Sequence, residues 1–238
     1  MNRNPEAVAL APALYVVATP IGNLGDITLR ALETLKGAAL IACEDTRVTG
    51  KLLEHFGIKA RLLRYDDHSG EAARPRILAA LEEGRAVALV SDAGTPLLSD
   101  PGYKLVRAAV EAGHTVIPIP GASALLAGLT VSGLPSDRFF FQGFLPTTGK
   151  AREEAIGPLR HVKATLVFYE GASRLAETLS FLHGFFGERE AAVARELTKR
   201  FEEVRRGTLA DLAAHYGTAE ARGEICIVVG PAPEEAAG

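Results

Sequence analysis

Short apolar runs alternate along the chain with segments whose apolar residues recur at helical spacing. Leu14–Thr19 (LYVVAT), Ala38–Cys43, Ala60–Tyr65, Ala86–Ser91 and Thr115–Ile119 read as buried strands. Between the first two, Asp26–Lys36 carries an apolar stripe at Ile27, Leu29, Ala31, Leu32 and Leu35. Thr46–Phe56, Glu71–Glu83 and Asp100–Ala112 read as further helices, stopped at Gly57, Gly84 and Gly113. Asp100-Pro101 offers the last of them an N-cap and a first-turn residue. Strands separated by helices predict a mostly parallel sheet with helices on its faces. The second half repeats the style less regularly. Arg138–Phe144, Thr165–Tyr169, Ala191–Arg195 and Glu224–Val229 read as strands, and Ala151–Leu159, Ser173–Phe185 and Thr208–Tyr216 as helices, the last capped by Thr208. A hairpin or bent strand is expected between Glu196 and Arg206. Pro and Gly cluster at Pro118–Ser123, which predicts an N-terminal α/β domain over 13–120 and a C-terminal α/β domain over 121–231, both with mostly parallel sheets. Residues 1–12 read as a loose tail.

Composition narrows the class of function. The chain has 238 residues, 47% apolar and 23% charged, with a formal charge of −3. Those values fit a folded globular chain and exclude a collagen-like, coiled-coil or disordered protein. The slight negative charge argues against a surface that coats nucleic acid throughout, but leaves room for local basic patches. Two cysteines, Cys43 and Cys226, exclude a disulfide framework and a Cys-based zinc site; both lie in apolar runs and read as buried thiols of a cytoplasmic protein. No membrane span is expected, because the longest uncharged stretch, Thr115–Ser136, is broken by three prolines and by glycine.

In open α/β sheets ligands sit beyond the C-terminal ends of the strands, so the strand-to-helix loops are the places to look. Ala18–Asp26 (ATPIGNLGD) follows the first strand. It lacks the G-x-G-x-x-G dinucleotide fingerprint, which counts against a nicotinamide-dependent oxidoreductase. Glu44-Asp45-Thr46-Arg47 follows the second strand, either as a polar site or as a cap with Glu44 paired to Arg47. Ser91–Gly102 (SDAGTPLLSDPG) is a stiff, small-residue loop, with Asp92 placed to accept hydrogen bonds from a ribose or an amine. Pro120–Ala124 follows the fifth strand. Gly143–Lys150 is no phosphate loop, since it has one residue too many between its glycines and Ala151 where Ser or Thr belongs. No metal-ligand spacing appears among the six histidines.

The segments TPIGNLGDITLRAL, EDTRVTGKLL, SDAGTPLLSDPG, PGASA, SGLPSDRFFFQGFLP, ARELTK and GEICIVV follow the order and spacing of one family. The chain resembles the ribosomal small-subunit RNA 2′-O-methyltransferase I family, in the tetrapyrrole methylase-like class (class III) of S-adenosylmethionine enzymes. The resemblance runs from Leu14 to about Gly230. It implies methylation of the ribose 2′-hydroxyl of a cytidine in the decoding region of 16S rRNA. It also implies a homodimer, with S-adenosylmethionine in the cleft between two domains. By position, the cofactor contacts would be Pro20, Ile21, Gly22, Asp92, Ala93, Gly94, Pro96, Leu97, Ser123, Ala124, Tyr169, Glu170, Arg195, Leu197, Glu224 and Ile225. Two departures stand out. YEGASRL has Ser173 where the family has histidine, and YDDHSG keeps His68 but lacks the Asn-Glu that usually follows.

Transfer of a methyl group to a ribose hydroxyl requires alignment and removal of a proton. Glu44, Asp45 and Arg47 are expected on the acceptor side, with Lys199 as a further catalytic candidate and Asp100 and His68 as alternative bases. Positive charge for RNA is sought at Arg195, Lys199, Arg200, Arg205 and Arg206, and at Lys150, Arg152 and Arg160. Phe139, Phe140, Phe141 and Phe144 are expected to be mostly core, with base stacking as the other use of such rings. A tetrapyrrole methylase and a non-catalytic ribosome-assembly factor remain the alternatives.

Overall fold

Successive side chains of a strand face opposite ways, and the first sheet buries both faces. The computed structural model describes residues 10–219 and 221–232, so most of the expected tail 1–12 lies outside the described residues. The chain divides into two units, Met1–Ser123 and Ala124–Gly238. In the first, β1 (Leu14–Val17), β2 (Leu40–Cys43), β3 (Leu62–Arg64), β4 (Val87–Val90) and β5 (Val116–Ile119) form a wholly parallel sheet in the order β3-β2-β4-β1-β5. Tyr15, Val17, Ile41, Cys43, Ala88 and Val90 pack on one face, with Ala31 and Leu35 of α1 (Leu29–Gly37) and Leu53 of α2 (Thr46–His55). Leu14, Leu40, Ala42, Val87 and Leu89 pack on the other, with Ile77 of α3 (Gly70–Glu82) and Leu105 of α4 (Tyr103–Glu111). The chain order explains the division. It runs from β1 to one edge through β2 and β3, then returns through β4 to β5. Right-handed crossovers in opposite directions place their helices on opposite faces. Because every strand is parallel, the C-terminal ends of all five open on one edge.

One helix start differs from expectation. Asp100 does not cap α4; Gly102 precedes its first residue, and the Asp100 carboxyl is engaged by Ser91 Oγ at 3.0 Å instead.

In the second unit β6 (Phe139–Phe144), β7 (Thr165–Gly171), β8 (Glu190–Arg195), β9 (Glu203–Thr208) and β10 (Glu224–Val229) form a sheet in the order β6-β7-β10-β8-β9. This corrects the expectation of a mostly parallel second sheet: β6 and β7 are parallel, but β7-β10, β10-β8 and β8-β9 are all antiparallel. The expected turn after Glu196 is the cause, since a short connection joins β8 to β9 and can only return the chain antiparallel. Leu166, Phe168, Val193, Ile225, Ile227 and Val229 form its core with α7 (Leu175–Phe186) and α8 (Leu209–Thr218), and Ile156 of α6 (Gly149–Ile156) joins them. Thr208 caps α8 in a reciprocal capping box with Asp211. α5 (Ala124–Ser132) lies close over the sheet, because a Cβ at Gly128 would stand 2.5 Å from Cys226 Sγ. Both cysteines are buried free thiols.

Candidate cofactor and acceptor site

The loops after β1, β2, β4 and β5 meet around Ser91–Gly102. Thr19 and Gly94 exchange backbone hydrogen bonds of 2.9 and 3.0 Å, and Thr19 Oγ1 donates to Ser91 O. Thr95 Oγ1 donates to Ala122 O at 3.1 Å, tying the same loop to the β5 loop. Asp92 Oδ1 accepts from Asp45 N at 3.1 Å, which ties in the β2 loop. The structure therefore brings Pro20–Gly22, Asp92–Leu97 and Glu44-Asp45 together on one rim of the first unit. Gly94 is required there. Its φ is +84°, and a Cβ would sit 3.2 Å from Ile21 Cγ2. Leu97 and Ser99 also hold positive φ, 74° and 56°, a strain that persists only where surrounding contacts over-determine the loop.

Three carboxylates line this rim: Glu44, Asp92 and Asp100. None forms an ion pair among the described residues. Burial, with the charges of Asp92, Asp66 and Asp67 behind it, raises the Glu44 pKa. Burial also pushes Asp100 up to about 7, with Glu44 and Asp92 adding to the effect. Hydrogen bonds from the Ser91 hydroxyl and the Leu97 backbone work against burial and draw it part of the way down. Ser91 Oγ accepts from Ala93 N and lies 3.0 Å from both Ala93 O and Asp100 Oδ1. Its single proton serves one of them; when it serves Ala93 O, Asp100 must supply the second proton. Sequence reasoning missed Ser91 and Thr19 as parts of this frame. The one available signal was hydroxyl side chains at the ends of buried strands.

Asp45 has another fate. It caps α2 by accepting from Arg47 N at 2.8 Å, and its carboxylate also takes the Arg47 guanidinium, with Nη2 at 2.5 Å. Arg47 thus pairs with Asp45 rather than with Glu44. Arg47 holds the Asp45 carboxyl far below the usual carboxylate range, so Asp45 is a poor proton acceptor. His68 is exposed, in a turn built on Asp66.

In the second unit the expected residues gather at one end of the sheet. Ile225 stands opposite Glu170 on one side and Arg195 on the other, and Glu224 stands opposite Gly171. Tyr169 Oη accepts from Leu125 N at 2.9 Å, just inside the α5 terminus that Ser123-Ala124 opens. Glu170 is buried and fully engaged by Gly171 N, Arg174 Nε and Thr178 Oγ1. Arg195 pairs with Glu203 at 2.6 Å, and Leu197 is buried. Lys199 Nζ bridges Glu196 and Glu224 at 2.9 and 3.0 Å. Its partial burial lowers the pKa, but the two carboxylates outweigh that and raise it, so Lys199 is a held cation and not a base. Ser173 lies exposed in the turn before α7.

Several expected RNA contacts are already occupied. Arg206 donates to Ser132 O and Val131 O at the end of α5, and Arg152 is buried against Glu177. Phe139, Phe140 and Phe144 are exposed, which corrects their expected burial; β6 is an edge strand with β7 as its one neighbour.

The model of the Tetrapyrrole (Corrin/Porphyrin) Methylases matches residues 13–213. A ribosomal RNA small subunit methyltransferase I of Mesorhizobium japonicum is 56% identical over 229 residues, covering 95% of this chain and 78% of its own. The protein of the same name from Erythrobacter litoralis is 58% identical over 236 residues, 99% of this chain and 84% of its own. The chain belongs to the ribosomal RNA small subunit methyltransferase I family. Its fold is that of the tetrapyrrole methylases. A diphthine synthase superposes with a TM-score of 0.71 at 18% identity, over 91% of this chain and 89% of that one. A Thermus thermophilus uroporphyrin-III C-methyl transferase complexed with S-adenyl homocysteine gives 0.61 at 21% identity, over 92% and 97%.

Proposed function

We propose that this protein transfers a methyl group from S-adenosylmethionine to the ribose 2′-hydroxyl of a cytidine in the decoding region of 16S rRNA. The observation that carries the reading is the rim of Glu44, Asp92 and Asp100, three carboxylates without an ion pair, built on a frame shared by four strand-end loops. The residues fit the donor. A sulfonium and an ammonium ask for uncompensated negative charge, and Asp92 offers a second carboxylate oxygen beyond the one used by Asp45 N. Pro20, Ile21, Gly22, Ala93, Gly94, Pro96 and Leu97 supply apolar contact and close backbone approach. The expected contacts of the second unit, from Ser123 and Ala124 through Tyr169, Glu170, Arg195, Leu197, Glu224 and Ile225, belong to the same proposal.

When bound, S-adenosylmethionine supplies an electrophilic methyl carbon. Glu44, basic enough through its raised pKa, accepts the proton that the ribose hydroxyl loses. Asp45 and Arg47, locked to one another at the start of α2, hold the acceptor side, and Arg47 is exposed for a phosphate. Lys199 ties the turn after β8 to the start of β10 through Glu196 and Glu224. The reading carries with it a homodimer working in the cytoplasm; among the described residues, no helix is long and apolar enough to cross a membrane.

The test supplies small subunits lacking the modification, isotope-labelled S-adenosylmethionine and purified protein, with digestion to nucleosides and mass spectrometry. Labelled 2′-O-methylcytidine is expected. The triple alanine variant at Glu44, Asp45 and Arg47 should lose it. S-adenosylmethionine binding without transfer to any subunit would turn the reading toward a tetrapyrrole acceptor.

A further inference from the structure

The turn joining β8 to β9 is built more firmly than a connection requires. Glu196 and Thr198 both hold positive φ, 51° and 66°. Lys199 N donates to Glu196 O at 3.0 Å, Glu202 N to Lys199 O at 3.2 Å, and Thr198 N to Glu202 Oε2 at 2.5 Å. The Lys199 bridge and buried Leu197 fix its base. This frame presents Arg200 and Phe201 to solvent. Phe201 is 64% exposed, more than any other large apolar side chain described in the second unit, and the Arg200 guanidinium lies 5.5 Å from its ring centre.

Charge sets this pair apart. Arg195 and Arg205 share Glu203, Lys199 is held by Glu196 and Glu224, and Arg206 caps α5. Among the described residues of the hairpin, Arg200 is the one cation with no carboxylate or carbonyl holding it.

We infer that the Arg200–Phe201 tip is an RNA-docking element, with Phe201 stacking on an unpaired base and Arg200 taking an adjoining phosphate. The inference rests on the rRNA reading of the function. A flat ring beside an uncompensated guanidinium matches a nucleotide on both counts: every base has a face to stack, and every linkage carries a negative charge. An acidic peptide would satisfy Arg200 and offer Phe201 nothing flat. A membrane surface would require a broader cluster of cations and apolar residues than one of each. The rigid turn suits a stacking platform, because little motion remains to be frozen on docking.

The chain has no tryptophan, so Phe201→Trp installs a single indole at the tip. Titration with small subunits lacking the ribose methyl should quench its emission, as a stacked base does. Phe201→Ala should raise KM for the subunits about ten-fold, the scale of one lost stack, with kcat within two-fold and S-adenosylmethionine affinity unchanged. Arg200→Ala should lower the salt dependence of binding by about one counterion. Unchanged emission, or a blue shift without quenching that places the tip against protein, overturns the inference; so does wild-type KM in both alanine variants. Wild-type protein that transfers no methyl, with quenching intact, would sink the proposed function and leave the stacking contact standing.

Discussion

The strand-end rim of the first unit and the sheet end of the second treat their carboxylates in opposite ways, although the first unit pairs other acids, such as Asp45 with Arg47 and Asp66 with Arg64. In the second, Glu170 accepts from Arg174, Thr178 and Gly171, Glu203 holds two arginines, and Glu196 and Glu224 hold Lys199. In the first, Glu44, Asp92 and Asp100 stand near one another on the strand-end rim, none in an ion pair among the described residues, and two of them have raised pKa values, although the Arg64 charge opposes part of the Glu44 shift. Paired acids bind a fold together. Unpaired, crowded and partly buried acids weaken it, and persist where a positively charged ligand will complete them. Under the proposed function, that rim is where the cationic methyl donor would sit.

The contrast can be broken by experiment. The largest effect should come from Glu170→Ala, which strands a guanidinium, a hydroxyl and an N–H that it now satisfies. A loss of about 3–5 kcal/mol in urea unfolding is expected. Asp100→Asn should act in the opposite sense. Below about pH 4 the carboxyl is protonated whether the chain is folded or not, since the unfolded group titrates near 3.8. Between there and about pH 7 the unfolded chain releases its proton first, so the folded state loses stability as pH rises, and above about 7 the loss is complete. The variant should therefore be more stable than wild type by roughly 2–4 kcal/mol at pH 8 and equal to it near pH 4, as measured by thermal melts without ligand. Asp92→Asn keeps the acceptor for Asp45 N and removes one charge of the rim. Calorimetry should show S-adenosylmethionine binding about ten-fold weaker. Smallest of all, Glu203→Gln loosens Arg195 and Arg205 at a partly exposed site. It should cost about 0.5–1 kcal/mol in the same unfolding assay. A Glu203 effect as large as that of Glu170 would erase the distinction between buried and surface pairing in the second unit.

Much of this arrangement could be read from residue order. The apolar runs place every strand but β9 to within a residue or two, because each is short and bounded by polar or glycine-rich loops; β9, EVRRGT, has no apolar run and is foreshadowed only by the hairpin or bent strand expected between Glu196 and Arg206. Strand direction in the second sheet was not legible. GEICIVV and AAVAR look alike whether their neighbours run with or against them, and α8 joins β9 to β10 as a parallel crossover past β8, so a helix between two strands does not reveal the direction of the strand they enclose. The loop after β4 was recognisable by its small residues and prolines, but not the shift of α4 to Tyr103. Asp-Pro is an ordinary helix opening, and only the fold reveals that Ser91 competes for that carboxyl. Likewise, Glu44-Asp45-Thr46-Arg47 allows either acid to take the arginine. The cap geometry of α2 decides for Asp45.

The place of β1 in its sheet also bears on how the chain comes together. β1 lies between β4 and β5, so its first hydrogen-bonded neighbour begins at Val87 and its second at Val116. A chain emerging from the ribosome must be made past Ile119 before β1 can be enclosed on both sides. Until then, Leu14–Val17 is an apolar edge awaiting partners, while β2 and β3 can already pair with each other. Closure of the first sheet is thus a late, long-range event, of the kind that makes parallel topologies slow to fold and prone to wrong contacts on the way.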